Sequence, residues 1–388
     1  MKLHKKLLNY LVILVITIGF IHNASAKEKN PSFLVLVGKQ QEDKPEYFGH
    51  SRGTAKPNRI LKEKLEKLGW TYEIAAFSPK LTLDYLKQFN VVILGAGGEG
   101  GQHALWTELS KKVSKTLLEY VKEGGGLLVM RNPGWQFGRD IDEFNMWLEP
   151  TGVKILNEQI TDYGTGLKTP SNAVLFWSDN ITPHAVTKGV KGFFYPDVYT
   201  KGYARYTDFS SPVKVDKNWK VLVKGSKSAK SYERKKGGKL QPEDPGSYNS
   251  EPPILAVRDY GKGRIAVMPV PSSCYWQDGY HVFWGSGAIM TGSMKGMAGD
   301  GERLMMNLLS FLSSPSKGKF GGYVCKKQPK KAKDAGFSRI NWDRASIHGK
   351  YKTSLQFISI ILLLWPQNWG TLYIIKIINK IGLISFWI

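Results

Sequence analysis

The spacing of apolar positions changes along the chain, and each change predicts an element. Residues 33–37 form a short apolar run, the pattern of a strand buried on both faces. Pro57 then opens a predicted helix with Ile60, Leu61, Leu65 and Leu68 on one face, and Gly69 stops it. Residues 71–76 read as a second strand, 81–89 as a short amphipathic helix, and 91–94 as a third strand running into a glycine-rich stretch, 95–101. A helix is predicted from about Glu108 to Lys122, burying Val113, Leu117, Leu118 and Val121, and Gly124, Gly125 and Gly126 break it. Residues 127–130 are a fourth strand. Strands separated by helices of this length predict right-handed βαβ units and a parallel sheet.

Beyond residue 150 the pattern loosens. Residues 174–177, 219–223, 255–260 and 264–269 read as strands, and the turn Tyr260-Gly261-Lys262-Gly263 joins the last two as an antiparallel hairpin. Residues 302–312 are a closing apolar helix ended by Pro315. The stretch 225–253, rich in Lys, Ser, Gly and Pro, reads as a long basic surface loop inserted into the domain. No internal repeat is visible.

The ends differ from the middle. Lys2, Lys5 and Lys6, the apolar run 7–21 and the small residues Ala24-Ser25-Ala26 form the three parts of a cleavable signal peptide, residues 1–26. The apolar run is shorter than the roughly 20 residues of a membrane span. This predicts an exported protein, periplasmic or secreted. Residues 27–316 form the expected domain, 317–357 a basic linker, and 358–388 an apolar tail without caps or clear periodicity. That tail reads either as a membrane-associating segment or as a stretch never selected to fold.

The formal net charge of +23 is uneven. Residues 214–239 hold ten Lys or Arg against two acids, and residues 316–388 hold thirteen against two. With the three lysines of the signal peptide removed, the rest of the chain is nearly neutral. The basic balance therefore describes an insertion and a tail, and a nucleic-acid-binding stripe is not expected. The two cysteines, Cys274 and Cys325, do not make a disulfide framework. No His, Cys, Asp and Glu spacing resembles a metal site, and no cofactor is implied.

Three segments in order carry a family resemblance. They are Glu123-Gly124-Gly125-Gly126-Leu127-Leu128-Val129, the run Thr182-Pro183-His184-Ala185-Val186-Thr187-Lys188-Gly189-Val190, and the hairpin from Val257 to Val267 around Tyr260-Gly261-Lys262-Gly263-Arg264. Together they resemble the class I glutamine amidotransferase-like superfamily, in particular its exported, ThuA-like (trehalose-utilisation-like) branch, over residues 32–313. The resemblance implies an α/β fold, a flavodoxin-like three-layer α/β/α sandwich with a mostly parallel sheet and a late antiparallel hairpin. It also implies a cysteine nucleophile on the sharp turn after the fourth strand, facing oxyanion-stabilising amides. Here that turn reads Arg131-Asn132-Pro133, and the late His-x-Glu pair is not recognisable, so glutaminase activity is not expected. The run 350–357 resembles the entry to a PHP-type phosphoesterase domain, but the His-x-His pair that should follow is absent. The tail can thus be read as a frame-shifted remnant of such a domain.

In a doubly wound sheet, ligands bind beyond the carboxyl ends of the strands. The loops expected there are 38–53, 95–103, 131–139 and 270–287. Gly97 and Gly98 are candidates to bring backbone N–H groups to a ligand, or else to make a simple turn. Glu99 and His103 are either an acid–base pair or polar loop residues. Arg131, Asn132 and Trp135 follow the fourth strand, where Arg suits an anion or a surface ion pair. The segment 274–284 packs Cys274, Trp276, Asp278, His281 and Trp284 together. It reads as a platform for a sugar-like ligand, or as a plug with its tryptophans buried. Cys274 and His281 are a candidate thiolate–imidazolium pair, or Cys274 is an inert buried thiol. His184 is expected to hold a turn.

Three functions remain open on this reading. One is an exported module binding a small polar ligand such as a carbohydrate, without glutaminase activity. The second is a hydrolase of sugars or related substrates using Glu99, His103, Asp278 or His281. The third is an interaction domain of a larger protein. Membrane contact is expected only through the tail, and the oligomeric state is left open.

Overall fold

The computed structural model describes residues 30–37, 40–41, 44–48, 59–76, 81–95, 103–131, 139–168, 174–197, 209–234, 240–276 and 289–323. The expected signal peptide, most of the glycine-rich stretch 95–101, most of the aromatic segment and the expected tail lie outside them.

The main sheet has seven strands: β1 (Ser32–Val37), β2 (Thr71–Ala76), β3 (Val91–Leu94), β4 (Gly126–Val129), β5 (Lys220–Lys224), β6 (Pro253–Tyr260) and β7 (Gly263–Val267). Their spatial order is β5-β6-β7-β4-β3-β1-β2. Strands β2, β1, β3, β4 and β7 pair in parallel, and β6 runs antiparallel to both its neighbours. This is the α/β sandwich expected from the alternation of strand and helix.

The helices are α1 (Arg59–Lys67), α2 (Leu83–Leu86), α3 (His103–Lys122), α4 (Arg139–Leu148), α5 (Ser273–Trp276) and α6 (Gly301–Ser313). Both faces of the sheet are buried, and the two-residue period of each strand sorts its side chains. Phe33, Val35, Val91, Ile93 and Leu128 share one core with Leu61 and Leu65 of α1 and Leu304 and Leu308 of α6. Leu34, Leu36, Val92, Leu94, Leu127 and Val129 share the other with Val113, Leu117 and Tyr120 of α3 and Phe144 and Leu148 of α4. A Cβ on Gly126 would lie 2.5 Å from the Leu312 carbonyl oxygen, so glycine there lets the end of α6 lie against the start of β4. The carboxyl terminus of α6 thus sits at the amino edge of the sheet. Gly261 takes φ 63° in the β6–β7 turn.

The second half departs from expectation. Stretch 225–253 is not a long loop. It carries strands Lys230–Arg234 and Leu240–Pro245, which form a three-stranded sheet with Glu158–Thr161. Strands Leu167–Lys168, Val174–Ser178 and Phe193–Asp197 form another. Strand Val153–Ile155 pairs with Val213–Val215. Helix α4 was not anticipated, α3 starts at His103 rather than near Glu108, and Leu68 is 46% exposed instead of lining the α1 face. Packing also continues past residue 316: Phe320 stacks on Tyr120, and Tyr323 lies 4.7 Å from Phe89. No helix among the described residues is long and apolar enough to cross a membrane.

Candidate functional site at the carboxyl edge of the sheet

The carboxyl ends of the parallel strands are tied in step. Gly95 N–H donates to Leu36 O at 2.9 Å, Met130 N–H to Leu94 O at 2.9 Å, and Met268 N–H to Val129 O at 2.8 Å. Arg131, one residue beyond, therefore stands beside the segment that leaves β7. The inserted layer closes over the same place. Ser211 N–H donates to Pro269 O at 3.0 Å, and Ile160 N–H to Ser210 O at 2.9 Å.

After Pro271 the chain makes the single turn α5, in which Trp276 N–H reaches Ser272 O at 2.8 Å. Cys274 is 2% exposed, and Tyr275 and Trp276 are fully buried. Cys274 belongs to the core cluster that contains Met130, Ile289, Met290 and Met305, so its thiol is packed as a small hydrophobe and is not disulfide-bonded. Tyr275 OH lies 3.2 Å from where a Cβ on Gly301 would stand, at the amino terminus of α6. Burial, reinforced by the neighbouring Cys274, holds the Tyr275 phenol far above the usual tyrosine range, so it is a proton donor at any physiological pH.

Three buried polar atoms here have no hydrogen-bond partner among the described residues: Ser211 Oγ, Tyr275 OH and Trp276 Nε1. Buried polar groups in folded proteins are nearly always satisfied, by protein, water or ligand. An unsatisfied one costs about 1–3 kcal/mol. Their hydroxyls and indole N–H offer hydrogen bonds to an oxygen-rich molecule. Ser211 was not legible as a candidate, because it lies in a short segment, 209–212, without apolar periodicity. Tyr275 stood inside the aromatic segment, but nothing in the sequence separated it from its neighbours.

Among the expected site residues, Arg131, Cys274, Trp276 and His103 are described, and the first three are buried around the ends of β4 and β7. The Trp276 side chain is fully buried. His103 is the first residue of α3. Gly97, Gly98, Glu99, Asn132, Trp135, Asp278, His281 and Trp284 lie outside the described residues. Among the described residues, no group of three or more His, Cys, Asp and Glu could hold a metal ion.

His184 lies elsewhere, beside the edge strand β5, where a bridge between Ile181 and Val223 and the bond from Thr182 N–H to Leu222 O (2.9 Å) bring its segment in. Its Nδ1 accepts from Val186 N–H at 3.2 Å, and Thr187 Oγ donates to Thr182 O at 2.6 Å. This is the turn-holding role expected of it. Burial, then the cations Lys220 and Arg264, hold its pKa below the usual histidine value against the opposing Asp259.

No family model matches the sequence, and no curated protein matches it. Solved structures do resemble it at a distance. One is an mmIFT52 N-terminal domain, 14% identical over 73% of this chain and 97% of that chain, with a TM-score of 0.42. A putative ThuA-like protein from Bacteroides uniformis is 13% identical over 74% and 93%, with a TM-score of 0.38. A glutamine amidotransferase from Thermotoga maritima is 8% identical over 62% and 76%, with a TM-score of 0.32. Likenesses this remote assign no activity.

Proposed function

We propose that this protein is an exported module that binds a small polar ligand, with carbohydrates as the first class to test, at the carboxyl edge of its sheet and without glutaminase chemistry. The observation that carries the proposal is the trio of buried polar atoms Ser211 Oγ, Tyr275 OH and Trp276 Nε1 at that edge, which have no partner among the described residues. A ligand rich in hydroxyls would satisfy donors and acceptors of this kind. The absence of glutaminase chemistry rests on two further features. Arg131 follows β4 where a nucleophile would be needed, and Cys274 is enclosed in the core.

Calorimetric titration of the full chain with a panel of mono- and disaccharides tests the binding. Saturable binding without product formation is expected, weakened about tenfold, the equivalent of one lost hydrogen bond, in Trp276→Phe. A panel with no saturable member, or a Trp276→Phe variant that binds as tightly as the parent, rules out this site. Release of ammonia from glutamine would overturn the chemical half of the reading.

A further inference from the structure

A cleft lies on the segment that covers β5, away from the carboxyl-edge trio. It is open to solvent, with a volume of about 550 Å³, and is bordered by Ile181, Pro183 and Val190, with His184, Lys188 and Lys191 among its polar lining. We propose that it binds a small organic anion, a carboxylate or phosphate monoester carried on an apolar body.

The walls are rigidly built. Asn307 Nδ2 donates to the carbonyls of Val186 and Lys188, both at 3.0 Å, and Arg303 donates to Gly189 O at 3.1 Å. The Thr187 hydroxyl is taken by Thr182 O. Carbonyl oxygens that would repel an anion are thereby engaged by α6 or by the turn itself. Donors remain. Because His184 Nδ1 accepts from Val186 N–H, the neutral ring must carry its proton on Nε2, which leaves an N–H donor and no second acceptor.

Charge at the cleft favours the same occupant. Among the described residues, neither Lys188 nor Lys191 has an ion-pair partner. The carboxylate of Asp300 accepts the Lys191 backbone N–H at 2.7 Å, and Asp179 is the one acidic residue in the lining. The His184 pKa is lowered first by burial and then by the cations Lys220 and Arg264, against the opposing Asp259, so positive charge also lies near the imidazole. The apolar walls suit a hydrocarbon or aromatic body in place of a bare inorganic ion.

Titration of the full chain, followed by amide NMR, tests this with phenyl phosphate, benzoate and phenol. The expected result is saturable binding of phenyl phosphate, benzoate or both, no binding of phenol, and shifts centred on residues 181–191. In Lys188→Gln/Lys191→Gln, whose lysines are exposed and leave the fold intact, affinity should fall at least tenfold. Which acid binds more tightly distinguishes a phosphate from a carboxylate ligand. Equal binding of phenol, unchanged affinity in the double variant, shifts centred elsewhere, or no saturation by either acid would each overturn the proposal.

Discussion

The main sheet and the small sheets that lie between residues 153 and 245 share apolar cores, to which the small sheets give Leu175, Phe176, Phe193 and Phe194, but they differ in how much polar surface they bury. In the main sheet nearly every inward position is apolar, and β3 and β4 are buried along their whole length. In the inserted layer the buried positions include Glu158, Gln159, Thr161, Asp162, Ser178 and Ser231. Asp162, fully buried, accepts from Thr165 Oγ and Ser226 Oγ at 2.5 Å, Ser228 Oγ at 2.8 Å, Gly164 N–H at 3.0 Å and Thr165 N–H at 3.2 Å. Glu158 accepts from Ser247 Oγ at 2.5 Å and Ser247 N–H at 3.0 Å. An apolar core tolerates any hydrophobe of the right size, whereas a buried carboxylate needs every donor in place. The candidate ligand site lies where these two kinds of interior meet.

Truncation of each kind of interior should separate them. Phe33→Ala empties the first core and should lower unfolding free energy by about 4 kcal/mol, measured by denaturant melts. Asp162→Ala strands five donors and should cost about 3 kcal/mol. Its signature is different: hydrogen exchange should accelerate first in 158–161 and 230–234, leaving β3 and β4 protected. Uniform loss of protection would mean the two regions unfold as one unit.

Two tyrosines give a finer contrast. Tyr120 OH donates to Phe89 O at 3.0 Å, so Tyr120→Phe should lose about 1 kcal/mol. Tyr275 OH has no partner among the described residues, so Tyr275→Phe should leave the thermal midpoint of the ligand-free protein unchanged or raise it. A destabilisation of Tyr275→Phe equal to that of Tyr120→Phe would show that its hydroxyl is already satisfied.

The smallest effect concerns pH. His184 binds its proton less readily in the folded chain than in the unfolded one, where its pKa is near 6.5. The unfolded state therefore holds more protons between the two values. Stability is complete above pH 6.5 and falls as pH drops toward the lowered folded value. His184→Asn keeps an acceptor for Val186 N–H but does not titrate, so its melting temperature should decline less between pH 7 and pH 5.5 (a window about the free histidine value). Parallel pH profiles for the two proteins would refute this.

Much of the main sheet was legible because its signals are local. Residues 33–37, 71–76, 91–94 and 127–130 were read within a residue of β1 to β4, and the β6–β7 hairpin followed from its glycine turn. Strand Leu240–Pro245, with two prolines and two acids, has no β signal of its own and exists only by pairing with Lys230–Arg234. Helix α4 does carry Ile141, Phe144 and Leu148 at helical spacing, but it follows a Gly- and Pro-rich loop that hid its start. At the site, the order of residues placed Arg131 and Cys274 after adjacent strands, yet it did not separate an exposed thiol from an enclosed one.

By itself, then, the chain determines the alternating strands and helices and the arginine that follows the fourth strand. These depend on residue identity and short-range periodicity alone. Tertiary structure decided which polar groups are buried, that Asp162 receives three hydroxyls and two backbone N–H groups while Tyr275 OH and Trp276 Nε1 have no partner among the described residues, and that Cys274 is buried. Each of those depends on contacts between residues far apart in sequence, whose free energies no local pattern encodes.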